Sequence, residues 1–376
     1  MLIIFLSLPE IINFFRKTKR KYLLLFFLLL LSFLVGLSNS KNPPAGLLGV
    51  LRFVEIASLS LCVYLRMPEL NSKKVFLLIF IALSFESLLS VLQYLNQGSL
   101  GGAMYFLGER AFNGQTPGIA NASVGGQLIL RPYATFPHPN VLSGFLIFYM
   151  LLLIYFSEKN FNSKVFLYGG LILGSLALLI SLSRAAIFLW AVYLIIFFSF
   201  AIYKKYKKAR FFSKTKIVVG VFIFLALLGI IFLSTPIAGR FFTTSLSDES
   251  VVQREFFIKQ AEIMFIKNPI FGVGLNNFYN NLSVGYYKAS LIQPVHNIFL
   301  LTLSQTGLIG LSALAFLFYE IIHALKKKLF KEVKYLWLVF LAIIFLGMFD
   351  HYFFTLQQGQ LLFSLFLGIT FSQKRV

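Results

Sequence analysis

The sequence predicts an all-α, polytopic membrane protein: a transmembrane helix bundle of about ten spans with two long extracytoplasmic loops. Three observations carry that expectation. Of 376 residues, 58% are hydrophobic and only 12% charged, and the mean hydropathy is +0.83. Soluble domains carry about 25% charged residues, and a disordered chain needs low hydrophobicity, so both classes are excluded. Ten apolar segments approach the length of a membrane span. Finally, the net charge of +21 is distributed along the chain in an alternating pattern.

The apolar segments are 22–38, 47–65, 75–95, 140–156, 165–182, 185–203, 217–234, 298–322, 335–349 and 359–371. Several are short and borrow flanking residues or tilt little. Together they make residues 1–376 a single integral membrane domain. The stretch from Leu2 to Phe15 is apolar but contains Pro9 and Glu10, and is either a partial span or an interfacial helix. A signal peptide is not expected there, because the basic cluster follows the apolar stretch and no small-residue cleavage site is evident.

Taken alone, +21 suggests nucleic acid or an anionic surface. Placing Arg16, Lys17, Lys19, Arg20 and Lys21 in the cytoplasm and alternating sides at each span puts 24 of the 34 basic residues inside. That is the positive-inside asymmetry of a multi-pass protein. The Lys runs are short and flanked by lipid-length apolar segments, so no nucleic-acid partner is expected; membrane lipids are.

The same alternation isolates two long extracytoplasmic loops, 96–139 and 235–297, as the places for function. In the second, a helix is expected from Ser247–Ser250 to about Lys267, before Pro269, occupying about 250–267. Phe257, Ala261, Met264 and Phe265 form a stripe at helical spacing. The stripe suits a helix on the membrane surface, and equally one packed on the outer ends of the spans. Cys62 is alone and within a span, which excludes a disulfide framework and a Cys-based metal site. Gly272-Val273-Gly274 lacks the strand and third glycine of a dinucleotide fingerprint and reads as a turn.

Polar groups gather on the outer side. Arg131 and His138 stand in RPYATFPHPN, Arg184 in the turn Ser181-Leu182-Ser183-Arg184, and Arg254 on the surface helix. His296 and Asn297 precede the eighth span, while Asp350 and His351 follow the ninth. For any one of these, satisfying a helix terminus or snorkelling to the interface is a sufficient explanation. Pro137 and Pro139 likewise give His138 a structural role, with Asn140 as the expected helix cap. Arg52 and Glu55 are expected to pair within the second span, and Glu86 to face a cavity or partner. In combination, the arginines suit a diphosphate and histidine suits a hydroxyl proton. Glycosyl transfer from a lipid diphosphate is therefore permitted by the chemistry, and the loops show no acidic metal cluster.

His296-Asn297, nine residues, then Gly307-Leu308-Ile309-Gly310 resembles the H-[NSQ]-x9-G-x-x-[GTY] pattern of bacterial O-antigen ligases. RPYATFPHPNVLSGFL, SLSRAAIFLW, REFFIKQAEIMFIKNPIFGVGLNNF and DHYFFTLQQGQLLF resemble blocks of the wider O-antigen ligase and polymerase family, in the family's order. The resemblance implies a metal-independent, inverting glycosyltransferase of the membrane-embedded C-type architecture, with no cofactor and 10 to 12 spans. It implies a multi-pass protein of the bacterial plasma (inner) membrane, with an extracytoplasmic site and an undecaprenyl-diphosphate-linked glycan donor. The pathway would be cell-surface polysaccharide biosynthesis, as for lipopolysaccharide. His296 corresponds to the base or acceptor-positioning histidine, and Arg184 and Arg254 to the arginines that engage the diphosphate. Arg131, His138, Asn297, Asp350 and His351 are supporting candidates. Ile258 replaces a family leucine, Ala134 the glycine common before Thr-Phe, and Pro137 a frequent glycine.

Ligase, polymerase and protein O-oligosaccharyltransferase share this donor and differ in acceptor: a lipid, a growing glycan or a protein. A transporter of lipid-linked glycan or anionic solute is the reading from another class. It lacks paired half-repeats, and the polar groups cluster at one face rather than the midplane.

Overall fold

The computed structural model describes residues 8–17, 20–124, 127–158, 164–208, 249–282 and 293–372. The expected span 217–234 lies outside them. The other nine apolar segments are helical. In chain order the longer helices are α1 (Leu8–Lys17), α2 (Arg20–Gly36), α3 (Pro43–Arg66), α4 (Ser72–Asn96), α5 (Pro139–Ser157), α6 (Lys164–Ile180) and α7 (Arg184–Lys208). They continue with α8 (Glu249–Lys267), α9 (Ile298–Lys326), α10 (Phe330–Gly347) and α11 (Gln357–Ser372). Among the described residues, four helices are long and apolar enough to cross a membrane: α3 with its following turn, α4, α5 and α9. Shorter apolar stretches lie in α2, α6 and α7. One departure from an all-α chain is a hairpin between α4 and α5. Its strands β1 (Asn121–Val124) and β2 (Gln127–Leu130) pair antiparallel, Asn121 opposite Leu130 and Val124 opposite Gln127.

Contacts group the chain into two compact units. The first comprises Met1–Leu78, Leu151–Asn162 and Leu246–Val376. Here α3 starts on Asn42, whose side chain accepts the Ala45 N–H, with Pro43 and Pro44 in the first turn where no N–H is needed. Helix α11 packs on α3 at Gly368, whose missing side chain leaves room for Val63, and Ser364 Oγ donates to the Ile56 carbonyl at 3.3 Å. A cavity of about 2300 Å³ in this unit is walled mainly by apolar side chains of α2, α3, α9 and α11, including Phe33, Leu301 and Phe363, with Phe354 just before α11. Arg52 and Gln305 are among its polar lining.

The expected Arg52–Glu55 pair does not form. Both side chains are exposed, and among the described residues neither makes an ion pair. Arg52 instead lines the cavity of this unit, and an exposed i, i+3 pair gains little from closing.

The second unit comprises Ile79–Met150 and Ser163–Ser245. Gly174 of α6 sits against Met150 and Leu83, and Trp190 Nε1 donates to Ser175 Oγ at 3.0 Å. Helix α5 begins one residue earlier than expected. His138, not Asn140, is its cap: the His138 Nδ1 accepts the Asn140 N–H at 3.1 Å, and the His138 carbonyl accepts from Val141 and Leu142. Pro139 takes the first helical position, which suits its fixed φ. That releases the Asn140 side chain for another partner.

Candidate active site

In the first unit the site is built on α8 and α9. Phe257, Ala261 and Met264 of α8 form a buried cluster with Val273, Phe278, Leu282, Val295 and Leu301. The stripe read from the sequence thus packs on protein. Arg254, one turn before Phe257, is exposed.

The segment after α8 is more than a turn. Helix α9 breaks at Gly307, with φ 63° and ψ −160°, a region open essentially to glycine alone. In an unbroken helix the Leu308 and Ile309 N–H groups would donate to the Ser304 and Gln305 carbonyls. Instead they donate to Pro269 and Ile270, at 2.8 and 3.4 Å. The released Ser304 and Gln305 carbonyls accept from Val273 and Gly274, at 3.0 and 2.9 Å. Residues 269–274 are therefore a backbone wedge inserted into α9. A side chain on Gly272 would collide with Gln305, and one on Gly307 with the Ile270 carbonyl. The wedge fixes the helix carrying Arg254 to the helix that His296 precedes.

Asn297 caps α9: its Oδ1 accepts from Phe299 and Leu300 at 2.9 and 3.0 Å, and its Nδ2 donates to the Met348 carbonyl at 3.2 Å. This second bond brings the end of α10 to the start of α9, so Asp350 and His351 stand beside His296. The His296 and His351 ring centroids are 5.1 Å apart, and Phe257 lies 6.3 Å from His296 on another side. Asp350 Oδ1 accepts the His351 N–H at 2.8 Å, and His351 Nδ1 meets Thr355 Oγ1 at 2.6 Å. His296 Nδ1 is buried with no hydrogen-bond partner.

Burial pushes the His296 imidazolium down to a pKa of about 4, opposed by the Asp350 carboxylate and assisted by His351 and Arg254. Burial also lowers His351, again against Asp350. Both rings are neutral at neutral pH. The arrangement offers a neutral base, a carboxylate to stabilise the protonated ring, and an exposed cation for an anionic group. Ligand atoms of His296, Asp350 and His351 also lie within 4.8 Å of one another and could hold a metal ion; such a His/Asp/His set suits zinc, a group the resemblance does not call for.

Arg184, Arg131 and His138 belong to the second unit. Arg184 is the first residue of α7. A cation is disfavoured there by the helix dipole, while the helix end and the guanidinium both favour an anion. Arg131 is buried, 4% exposed, with Nε donating to the Ser181 carbonyl and Nη2 to Asn140 Oδ1, both at 2.8 Å. Glu86 finds its partner in Thr135, whose Oγ1 and N–H donate to its carboxylate at 2.7 and 3.2 Å. Gln93 is not among the residues that the sequence singles out. Its Oε1 accepts from Tyr133 and Ala134, and its Nε2 donates to Glu109 Oε1 at 2.8 Å. A signal for it exists in the spacing: Glu86 and Gln93 are seven apart, on one face of an apolar helix.

Residues 169–315 match the sequence model of a family described as O-antigen ligase. The matched stretch, about two fifths of the chain, is similar to that family. It runs from α6 into α9 and takes in Arg184, Arg254, His296, Asn297, Gly307 and Gly310. No curated protein matches the chain. Together with the apolar helices, the match supports an integral membrane protein with a role in glycan transfer or polymerisation, in the synthesis of cell-surface polysaccharide. Asp350 and His351 lie beyond the domain match, and the fold brings them to His296.

Proposed function

We propose that the protein transfers a glycan from an undecaprenyl-diphosphate carrier to an acceptor hydroxyl at the extracytoplasmic face of the bacterial inner membrane. The observation that carries the reading is His296: a half-buried, neutral imidazole with a buried, unpartnered Nδ1, flanked by Asp350 and under the charge of Arg254. The acceptor oxygen attacks the anomeric carbon as the bond from that carbon to the diphosphate oxygen breaks. The hydroxyl proton goes to His296, and Asp350 stabilises the resulting imidazolium. Arg254 meets the leaving diphosphate, whose charge it neutralises. Arg184 enters by the resemblance and by its place at the start of α7. A single displacement inverts the anomeric centre, and no step of it requires a metal. The apolar cavity of the first unit, with Leu301 and Phe354 in its wall, suits a lipid chain. The positive-inside pattern supports the extracytoplasmic side.

The acceptor we favour is a lipid, as for a ligase; a growing glycan or a protein would serve the same chemistry. The test is glycan transfer in membranes. His296→Ala and Arg254→Ala are expected to abolish transfer while the protein still accumulates, and normal transfer by either overturns the mechanism. Reconstituted liposomes separate the transporter reading, which predicts lipid or solute movement without acceptor glycosylation.

A further inference from the structure

We infer that Arg131 is a positioning residue for Arg184, acting through the Ser181 carbonyl, and that the loop between α4 and α5 is the scaffold that holds it. The inference rests on the reading of Arg184 as a donor-binding residue.

Arg184 is set by the turn that precedes it. Leu182 has φ 52°, a left-handed conformation that is strained for a non-glycine residue. Something outside the turn must hold it. Two contacts from the α4–α5 loop do so, and a third anchors the arginine that makes one of them. Ala122 of β1 packs on Leu182, both buried. Arg131 Nε donates to the Ser181 carbonyl, an acceptor at the C-terminal end of α6, where a cation also suits the helix dipole. The other arm of the guanidinium binds Asn140 Oδ1, at the start of α5. One buried planar group thus joins the end of α6, the start of α5 and the exit of the hairpin.

Arg131 is itself held. Its backbone N–H donates to the Ala120 carbonyl at 3.2 Å, and Tyr133 Oη accepts the Ala120 N–H at 2.7 Å. Gln93 fixes the Tyr133 and Ala134 backbone, and Glu86 fixes Thr135. The order of support runs from α4 to residues 131–135, then to Ser181, then to Arg184. Ser183 completes it, its carbonyl accepting from Ile187 to start α7. A lysine has one ammonium where arginine has a fork, so it cannot reproduce both bonds in this geometry.

The test is a double-mutant cycle on glycan transfer in membranes, with protein amount and the pH profile measured alongside. Arg131→Ala is expected to lower kcat/KM for the lipid-linked donor about tenfold to a hundredfold, the range for misplacing a reacting or binding group. The acid limb of the profile, set by His296, stays in place, and Arg131→Lys recovers only part of the loss. In an Arg184→Ala background, Arg131→Ala is expected to add less than about twofold, because residues acting through one another are not additive. An equal loss in both backgrounds, or no loss in the wild-type background, overturns the inference. Should Arg131→Ala fail to accumulate, Asn140→Ala removes only the second anchor and is put through the same cycle with the same criteria. Full activity of Arg184→Ala alone is a different result: it removes the donor role of Arg184, and the inference with it.

Discussion

The carbonyl of Ile270 occupies the space that a side chain on Gly307 would need. That contact is where the wedge enters α9, and it gives the G-x-x-G half of the ligase pattern a physical reason. Gly307→Ala should place a methyl group against backbone that cannot yield, in a φ,ψ region closed to alanine. The expected result is little or no folded protein in membranes. Gly310→Ala meets the Thr306 side chain, Cβ included, and needs that helical turn to shift, but its φ is open to alanine, so it should accumulate better than Gly307→Ala. Equal accumulation of the two variants would count against the wedge.

His296 should set an unusually acidic limb. The neutral ring is the active form, so kcat/KM for transfer should hold through pH 6.5 and fall only near pH 4. Asp350 raises the His296 pKa, so Asp350→Asn should move the limb to lower pH and also slow transfer. Arg254 lowers it, so any residual activity in Arg254→Ala should show a limb at higher pH. The same depression contributes to stability. Its contribution is complete above the unfolded-state pKa of about 6.5 and is lost as pH falls toward 4. Thermal unfolding across that window checks the sign.

Asn297 does two jobs, capping α9 and bridging to Met348. Asn297→Ala should cost about 1–2 kcal/mol for the cap and loosen the placement of Asp350 and His351. Asn297→Ser keeps a cap oxygen and should retain more stability, while losing the bridge. Unfolding temperature and kcat, measured together, separate the two effects.

Ala134 has φ 49° at a position where the resembling family commonly has glycine. Ala134→Gly should relieve left-handed strain and raise stability by up to about 1–2 kcal/mol, partly offset by unfolded-state entropy. A lower unfolding temperature would contradict this account.

Metal at the His296–Asp350–His351 cluster should inhibit. A zinc ion held there would take the nitrogen that the proposed mechanism uses, so added zinc should slow transfer and a chelator should leave it unchanged. Loss of activity on chelation, restored by zinc, would make the metal part of the reaction.

Much of the architecture is legible in the sequence because hydrophobic length and loop charge are one-dimensional quantities. Helices α3, α4, α5 and α9 stand where apolar runs of spanning length stand. Helix α8 is visible in the periodicity of Phe257, Ala261 and Met264, which pack on protein. Asn140 resembles a cap in the sequence, yet His138 takes that place, because a histidine nitrogen can do the same work. Spacing along the chain does not say which of two neighbours donates or accepts.

A helical membrane chain, its orientation pattern and the chemical types at the candidate site, one histidine and its arginines, are properties of the sequence alone. Which of these groups have neighbours, and what those neighbours do, is a matter of tertiary structure. Folding brings Asp350 and His351 to His296, gives Glu86 to Thr135, turns Arg131 toward Ser181 and leaves Arg52 unpaired with Glu55. It also converts a glycine-rich turn into a wedge through α9. These are contacts between segments far apart in the chain, several made by exchanging backbone hydrogen bonds. A bond from one main chain to another leaves no periodic trace in side-chain identity, so only the folded chain reveals it.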